Sequence, residues 1–180
     1  FLSKPTARDQ GAIVGFGSAL FVAMDNFEDG LTNGGSVRLY EFQRNLSGEL
    51  VLGQGFSRGA LAMYDIDGDG DLDLFIGGRS IPGKYPEAAP SLLMRNDAGR
   101  FSILQRFDAL GLVNGAIFTD LDGDGNAELA LACEWAPIRV FKNQAGVFKE
   151  ITKELGLDAD RKSTRLNSSH SSVSRMPSSA

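Results

Sequence analysis

Two nine-residue stretches constrain this chain more than anything else in it: Asp65-Ile66-Asp67-Gly68-Asp69-Gly70-Asp71-Leu72-Asp73 and, fifty-five positions later, Asp120-Leu121-Asp122-Gly123-Asp124-Gly125-Asn126-Ala127-Glu128. Each sets an acid at loop positions one, three, five and nine, with glycine at four and six. Alternate residues of a tightly wound loop can all point at one centre, and glycine takes the φ > 0 turns that such winding requires. Carboxylates gathered there repel one another by a few kcal/mol per pair at an effective dielectric near ~20. A hard cation removes that cost. Ca²⁺ accepts about six to eight oxygens, whereas Mg²⁺ demands octahedral geometry and keeps its waters, so the pattern predicts two Ca²⁺ sites.

The loops are not EF-hands, which need a bidentate Glu at position twelve and flanking helices. Position twelve is Ile76 in the first loop and Leu131 in the second. Each loop instead runs straight into a short apolar stretch, Leu74-Phe75-Ile76-Gly77 or Leu129-Ala130-Leu131-Ala132, of the kind a buried strand uses. Expected ligands are the side chains of Asp65, Asp67, Asp69 and Asp73 with the carbonyl of Asp71, and then those of Asp120, Asp122, Asp124 and Glu128 with the carbonyl of Asn126.

Superposing the two loops also brings their downstream segments into register. Leu92-Leu93-Met94-Arg95-Asn96-Asp97-Ala98-Gly99-Arg100-Phe101 matches Val140-Phe141-Lys142-Asn143-Gln144-Ala145-Gly146-Val147-Phe148, each a strand, a turn and another strand. A four-strand unit is thus written twice. The spacing falls from 55 to 47 along the way, so the earlier unit carries eight extra residues between its second and third strands. The opening third reads as the back part of another unit: Ala19–Ala23 as a second strand, then Val37–Phe42 and Gly48–Val51. Its acids are missing, since Ile13, Gly15, Gly17 and Ala19 stand where ligands should, and Asp25, Glu28 and Asp29 fit no ligand spacing.

Four-stranded repeats of about 40–60 residues predict an all-β chain, a partial β-propeller of about two and a half antiparallel blades; a β-helix fits the spacing less well. The expected units are 1–56, without a calcium loop, then 57–110 and 111–159, each with one. Residues 160–180 resemble a translated sequencing adapter and are expected to be non-native and disordered. Without them the balance is 18 − 4 = 14 basic against 23 − 1 = 22 acidic residues, a net −8. No basic stripe suits a phosphate backbone, which argues against nucleic acid as a partner. No apolar run approaches the ~20 residues of a membrane span. The single histidine, His170, lies in the tail, which leaves no imidazole for acid-base chemistry. Cys133 ends an apolar run and reads as a buried small hydrophobe.

The stretches DIDGDGDLDLFIGG and DLDGDGNAELALA resemble the FG-GAP or VCBS repeats of integrin-type propellers, over about residues 11–158. The segments around 77–101 and 133–152 are similar, more narrowly, to VCBS-repeat proteins that carry an ASPIC/UnbV domain. The resemblance implies that each acidic loop joins a blade's first and second strands and binds Ca²⁺. Glu128 departs from the aspartate usual at position nine. In such a layout the loop between strands two and three opens on the opposite face; in the earlier unit it carries Arg79, Lys84 and Tyr85, and Glu134 and Trp135 occupy the matching place in the next. Aromatics with charged neighbours there suit a carbohydrate or protein ligand, although Tyr85 and Trp135 could equally plug the groove between blades. The expected role is a non-catalytic binding or adhesion scaffold, extracellular, at the cell surface or periplasmic, with the remaining blades of its parent chain as neighbours. The alternative is the propeller portion of a polysaccharide lyase or hydrolase.

Overall fold

A computed structural model describes residues 9–25, 36–51 and 56–158. They form three four-stranded antiparallel sheets, each a simple meander. The first is β1 (Gln10–Phe16), β2 (Ala19–Met24), β3 (Val37–Glu41) and β4 (Leu46–Val51). The second is β5 (Arg58–Tyr64), β6 (Asp73–Gly78), β7 (Ser91–Asp97) and β8 (Arg100–Phe107). The third is β9 (Leu112–Thr119), β10 (Glu128–Glu134), β11 (Arg139–Gln144) and β12 (Val147–Glu150). The tail 160–180, Glu28 and Asp29 lie outside the described residues.

The opening third therefore holds a complete sheet, and the count of two and a half units becomes three. β1 carries no marker in the sequence because the acidic loop that announces a first strand is replaced by the tight turn Gly17-Ser18, with Gly17 at φ 57° and Phe16 paired directly with Ala19. In the other two sheets the acidic loop spans the same junction: Tyr64 pairs with Asp73 and Thr119 with Glu128, so each ninth-position acid is also the first residue of its second strand. The β7–β8 and β11–β12 hairpins close on Ala98-Gly99 and Ala145-Gly146, all four at positive φ, which is the twist a two-residue hairpin turn needs. Alanine is a poor first residue there. Asn96 and Asn143 compensate, each side-chain oxygen accepting a hydrogen bond from the turn glycine's N–H at 2.8 Å.

Period-two alternation explains the core. In the middle sheet β5, β6 and β7 are buried on both faces, so they are apolar at successive positions, whereas β8 is largely exposed. Leu61, Leu74, Ile76, Leu92 and Met94 pack with Phe21, Ala23 and Val37 of the first sheet. Their neighbours Ala60, Ala62, Phe75 and Leu93 pack with Val113, Leu129, Leu131, Phe141 and Phe148 of the third. Phe107 stands edge-on to both Phe75 and Phe141, with centroids 6.3 and 5.2 Å away.

The three first strands lie side by side, β5 between β1 and β9. The approach is closest at Gly59, where an added Cβ would stand 2.0 Å from the carbonyl oxygen of Val113; at Gly11 it would stand 2.9 Å from that of Arg58. Large apolar side chains stay exposed on β1 of the first sheet, at Ile13, and on β9 of the third, at Ile117. Among the described residues no helix is long and apolar enough to cross a membrane.

Candidate functional site

Both acidic loops wind the same way. Asp65 Oδ1 accepts hydrogen bonds from the N–H of Gly68 at 2.8 Å and Asp69 at 3.2 Å, and its Oδ2 from Gly70 at 2.9 Å. Asp120 repeats this with Gly123, Asp124 and Gly125 at 2.7, 3.2 and 3.0 Å. The winding depends on Gly68, Gly70, Gly123 and Gly125, whose φ values of 77–93° suit glycine best.

Carboxylate oxygens of Asp65, Asp67 and Asp73 lie within 4.8 Å of one another, and so do those of Asp120, Asp122 and Glu128. The fifth-position acids stand outside these groups. Asp69 and Asp124 each accept a hydrogen bond from the N–H two residues on, at 2.8 Å. Asp71 turns its side chain away, accepting from Ala98 N–H at 2.8 Å.

The ninth-position acids are buried and differ from each other. Asp73 accepts from Ile66 N–H at 2.9 Å and from Asn96 N–H at 2.8 Å, one bond on each oxygen. Burial pushes its carboxyl above the usual range, against those two hydrogen bonds, and the charges of Asp67 and Asp69 add to the rise. Glu128, only 1% exposed, accepts from Leu121 N–H at 2.9 Å through Oε2, while its buried Oε1 has no hydrogen bond. A buried carboxylate oxygen left this way is costly unless a cation faces it.

Two basic side chains that the loop pattern did not predict reach in from the third strands. Arg95 and Lys142 occupy matching places, 47 residues apart. Arg95 Nη2 lies 2.9 Å from Asp67, while its Nε donates to Asp97 at 2.9 Å, and the two acids, Asp67 first, raise its pKa. The Lys142 ammonium pairs with Asp122, lies 2.7 Å from Asp124 Oδ2 and stands 3.9 Å from Glu128 Oε1. Its hydrogen bonds to Asp122 and Asp124 hold it well above the usual lysine range. The alignment that matched Asn96 with Asn143 held the signal for this pair.

The loops are also unlike in their setting. Asn143 of the third sheet donates to the carbonyl of Ile66 at 3.2 Å, and Ile66 is 8% exposed among the core residues between the two sheets. Its counterpart Leu121 is 53% exposed.

Away from the loops, the twelve residues between β6 and β7 and the four between β10 and β11 meet. Tyr85 donates its hydroxyl proton to Glu134 Oε1 at 2.7 Å and accepts from Trp135 Nε1–H at 2.8 Å. The Tyr85 hydrogen bond is the main cause of a lowered Glu134 pKa. Tyr85 is 50% and Trp135 67% exposed, which does not fit the expectation of a plug between sheets. Trp135 sits at φ 61°, an unfavourable backbone for an aromatic residue. Of the other expected members, Arg79 bonds Asp25, just beyond β2, at 3.4 Å and Lys84 pairs with Glu87 at 3.8 Å.

Cys133 packs against the core between the second and third sheets, and burial pushes its thiol up to about 11. The thiolate is the nucleophile, so iodoacetamide near pH ~8 is expected to modify the folded chain about tenfold more slowly than the urea-unfolded chain. Equal rates, followed by mass spectrometry, would show the thiol to be open.

Compared with known proteins, the chain matches no family model and no curated protein.

Proposed function

We propose that this chain is an arc of a β-propeller whose two acidic loops bind Ca²⁺, serving as a non-catalytic binding scaffold in a calcium-rich exported compartment. The observation that carries the reading is the convergence of three carboxylates in each loop, with the buried, hydrogen-bond-deficient Oε1 of Glu128 turned toward Lys142 in the second. The donors are all oxygen, the chemistry that hard cations prefer. Asp65, Asp67, Asp73 and the Asp71 carbonyl would hold one ion and Asp120, Asp122, Glu128 and the Asn126 carbonyl the other, with Asp69 and Asp124, outside the converging groups, turning in to complete each set. Bound Ca²⁺ supplies charge neutralisation and a cross-link between the two strands each loop joins.

The propeller arrangement is supported by the side-by-side placement of β1, β5 and β9 and by the exposed Ile13, Ile117 and Leu121, which further sheets of the parent ring would cover. Calorimetric titration of the chain with Ca²⁺ is expected to show two sites, one lost in Asp67→Ala and one in Asp122→Ala. An unchanged stoichiometry in either variant would overturn the ligand assignment.

The opposite face would bind the partner, a protein or carbohydrate, through Trp135, Tyr85 and Glu134. A strained backbone persists where the surroundings impose it, and such positions cluster at ligand clamps. Trp135→Gly is expected to leave the melting temperature within about 3 °C of wild type, as ~1 kcal/mol of relieved strain offsets the lost side chain. The same variant should lose retention on a glycan array or a partner-protein column. Retained binding, or a fall in melting temperature well beyond that range, would make Trp135 a structural residue.

A further inference from the structure

We infer that the two loops hold a divalent cation with unequal strength, because the Lys142 ammonium is a built-in counter-cation among several acids of the second loop that an incoming ion must displace, whereas Arg95 pairs with a single acid of the first and is tethered to Asp97 beyond it. This rests on the calcium reading above and adds an order of filling to it.

The difference lies two residues beyond each basic side chain. Asp97 follows Arg95 and takes its Nε at 2.9 Å, so the guanidinium spans Asp67 and Asp97 and touches only one acid of the loop. The residue matching Asp97 in the third sheet is Gln144, which is neutral. Lys142 turns its charge on Asp122 and Asp124 and toward the buried Glu128. An ammonium is a compact point charge on a flexible stem, able to sit among carboxylates and to swing out when a stronger cation replaces it.

Charge count acts in the same direction. The ligand carboxylates are equal in number, but Asp71, its side chain turned to Ala98, adds a fifth negative charge beside the first loop where the second has the neutral Asn126. Calcium affinity follows ligand charge and site rigidity. Within this chain the first loop has a rigid partner in the third sheet, through Ile66 and Asn143, whereas Leu121, which a further sheet of the parent ring would cover, is exposed. Glu128 Oε1, without the hydrogen bond that each Asp73 oxygen has, is the oxygen an ion would gain once the ammonium leaves. The first loop is then a structural site and the second a site that fills only at higher calcium.

The test is a Ca²⁺ titration of the full chain by NMR, reading the amides of Gly68 and Gly70 for the first loop and of Gly123 and Gly125 for the second. The first pair is expected to reach its midpoint at a calcium concentration at least about tenfold lower than the second, ~1.4 kcal/mol. Lys142→Met should tighten the second loop by about tenfold and leave the first unchanged. Gln144→Asp, at an exposed position, supplies the missing tether and should tighten the second loop in the same direction; it carries the test alone should Lys142→Met fail to fold. Arg95→Met should move the first loop by less than about threefold. Equal midpoints in wild type, or a second loop indifferent to every folded variant of Lys142 and Gln144, overturn the inference while leaving two calcium sites in place. No shift at any of the four glycines, in wild type or variants, sinks the calcium reading and the inference with it.

Discussion

Gly59→Ala is expected to lower the stability of the fold by about 3 kcal/mol, the upper end of what overpacking costs. The added methyl would stand 2.0 Å from the carbonyl oxygen of Val113. That obstacle is backbone, so no rotamer change relieves it, and β5 and β9 must part. Their separation would also loosen the core between the second and third sheets, where Ala60, Ala62 and Val113 meet. A melting-temperature fall of about 6–12 °C is expected from the usual scaling for a domain of this size. Gly48→Ala, with nothing within 4 Å of its Cβ, is the control. Were both variants to melt with the wild type, the first strands would not be in the close contact described.

Asp73→Asn is expected to cost about 2–3 kcal/mol, a large effect for a change of one atom. Each Asp73 oxygen accepts a backbone N–H, one from Ile66 in the loop and one from Asn96 on β7. An amide offers one acceptor and one donor, so one buried N–H would face another. Denaturant unfolding without calcium reads the cost directly, and, on the proposed calcium reading, a titration isotherm short by one step is expected. A variant as stable as wild type would mean that Asp73 does not pin the loop to β7. The pH dependence has a definite sign. Because the folded-state pKa of Asp73 is raised, the folded chain holds its proton to higher pH than the unfolded chain does. Its own contribution to stability therefore falls as pH rises from the ordinary aspartate value through the raised one, and it is recovered on acidification. On acidification through that window, in the absence of calcium, wild type should gain stability relative to Asp73→Asn.

Much of the second and third sheets was legible because the acids announce the turn between strands one and two and the apolar runs announce the strands on either side. Glycine at positions four and six, and acids at one and three, dictate the winding through local hydrogen bonds such as Asp65 to Gly68, which need no distant partner. The features that stayed hidden are carried by contacts far apart in sequence. β1 lacks the acidic marker, and its Ala12 and Val14 show their purpose only against the second sheet. Lys142 and Arg95 read as ordinary solvated charges until the third strands are laid beside the loops. Asp25 matched no ligand spacing because it belongs to another network, accepting from Ser57 at 2.5 Å and pairing with Arg79 across two sheets. Tyr85 meets Glu134 and Trp135 from the longer loop, a contact that matching positions in successive units did not by themselves specify. Lys84 and Arg79, on the same loop, found acids of their own.

Ile66 gives the first loop a mechanical role. It sits inside the loop sequence yet is packed beneath the neighbouring sheet, with its carbonyl gripped by Asn143. A cation seated between Asp65 and Asp73 would brace the second sheet's side of that joint, fixing the loop from which Ile66 reaches across to the third sheet while Asn143 holds it from the other side.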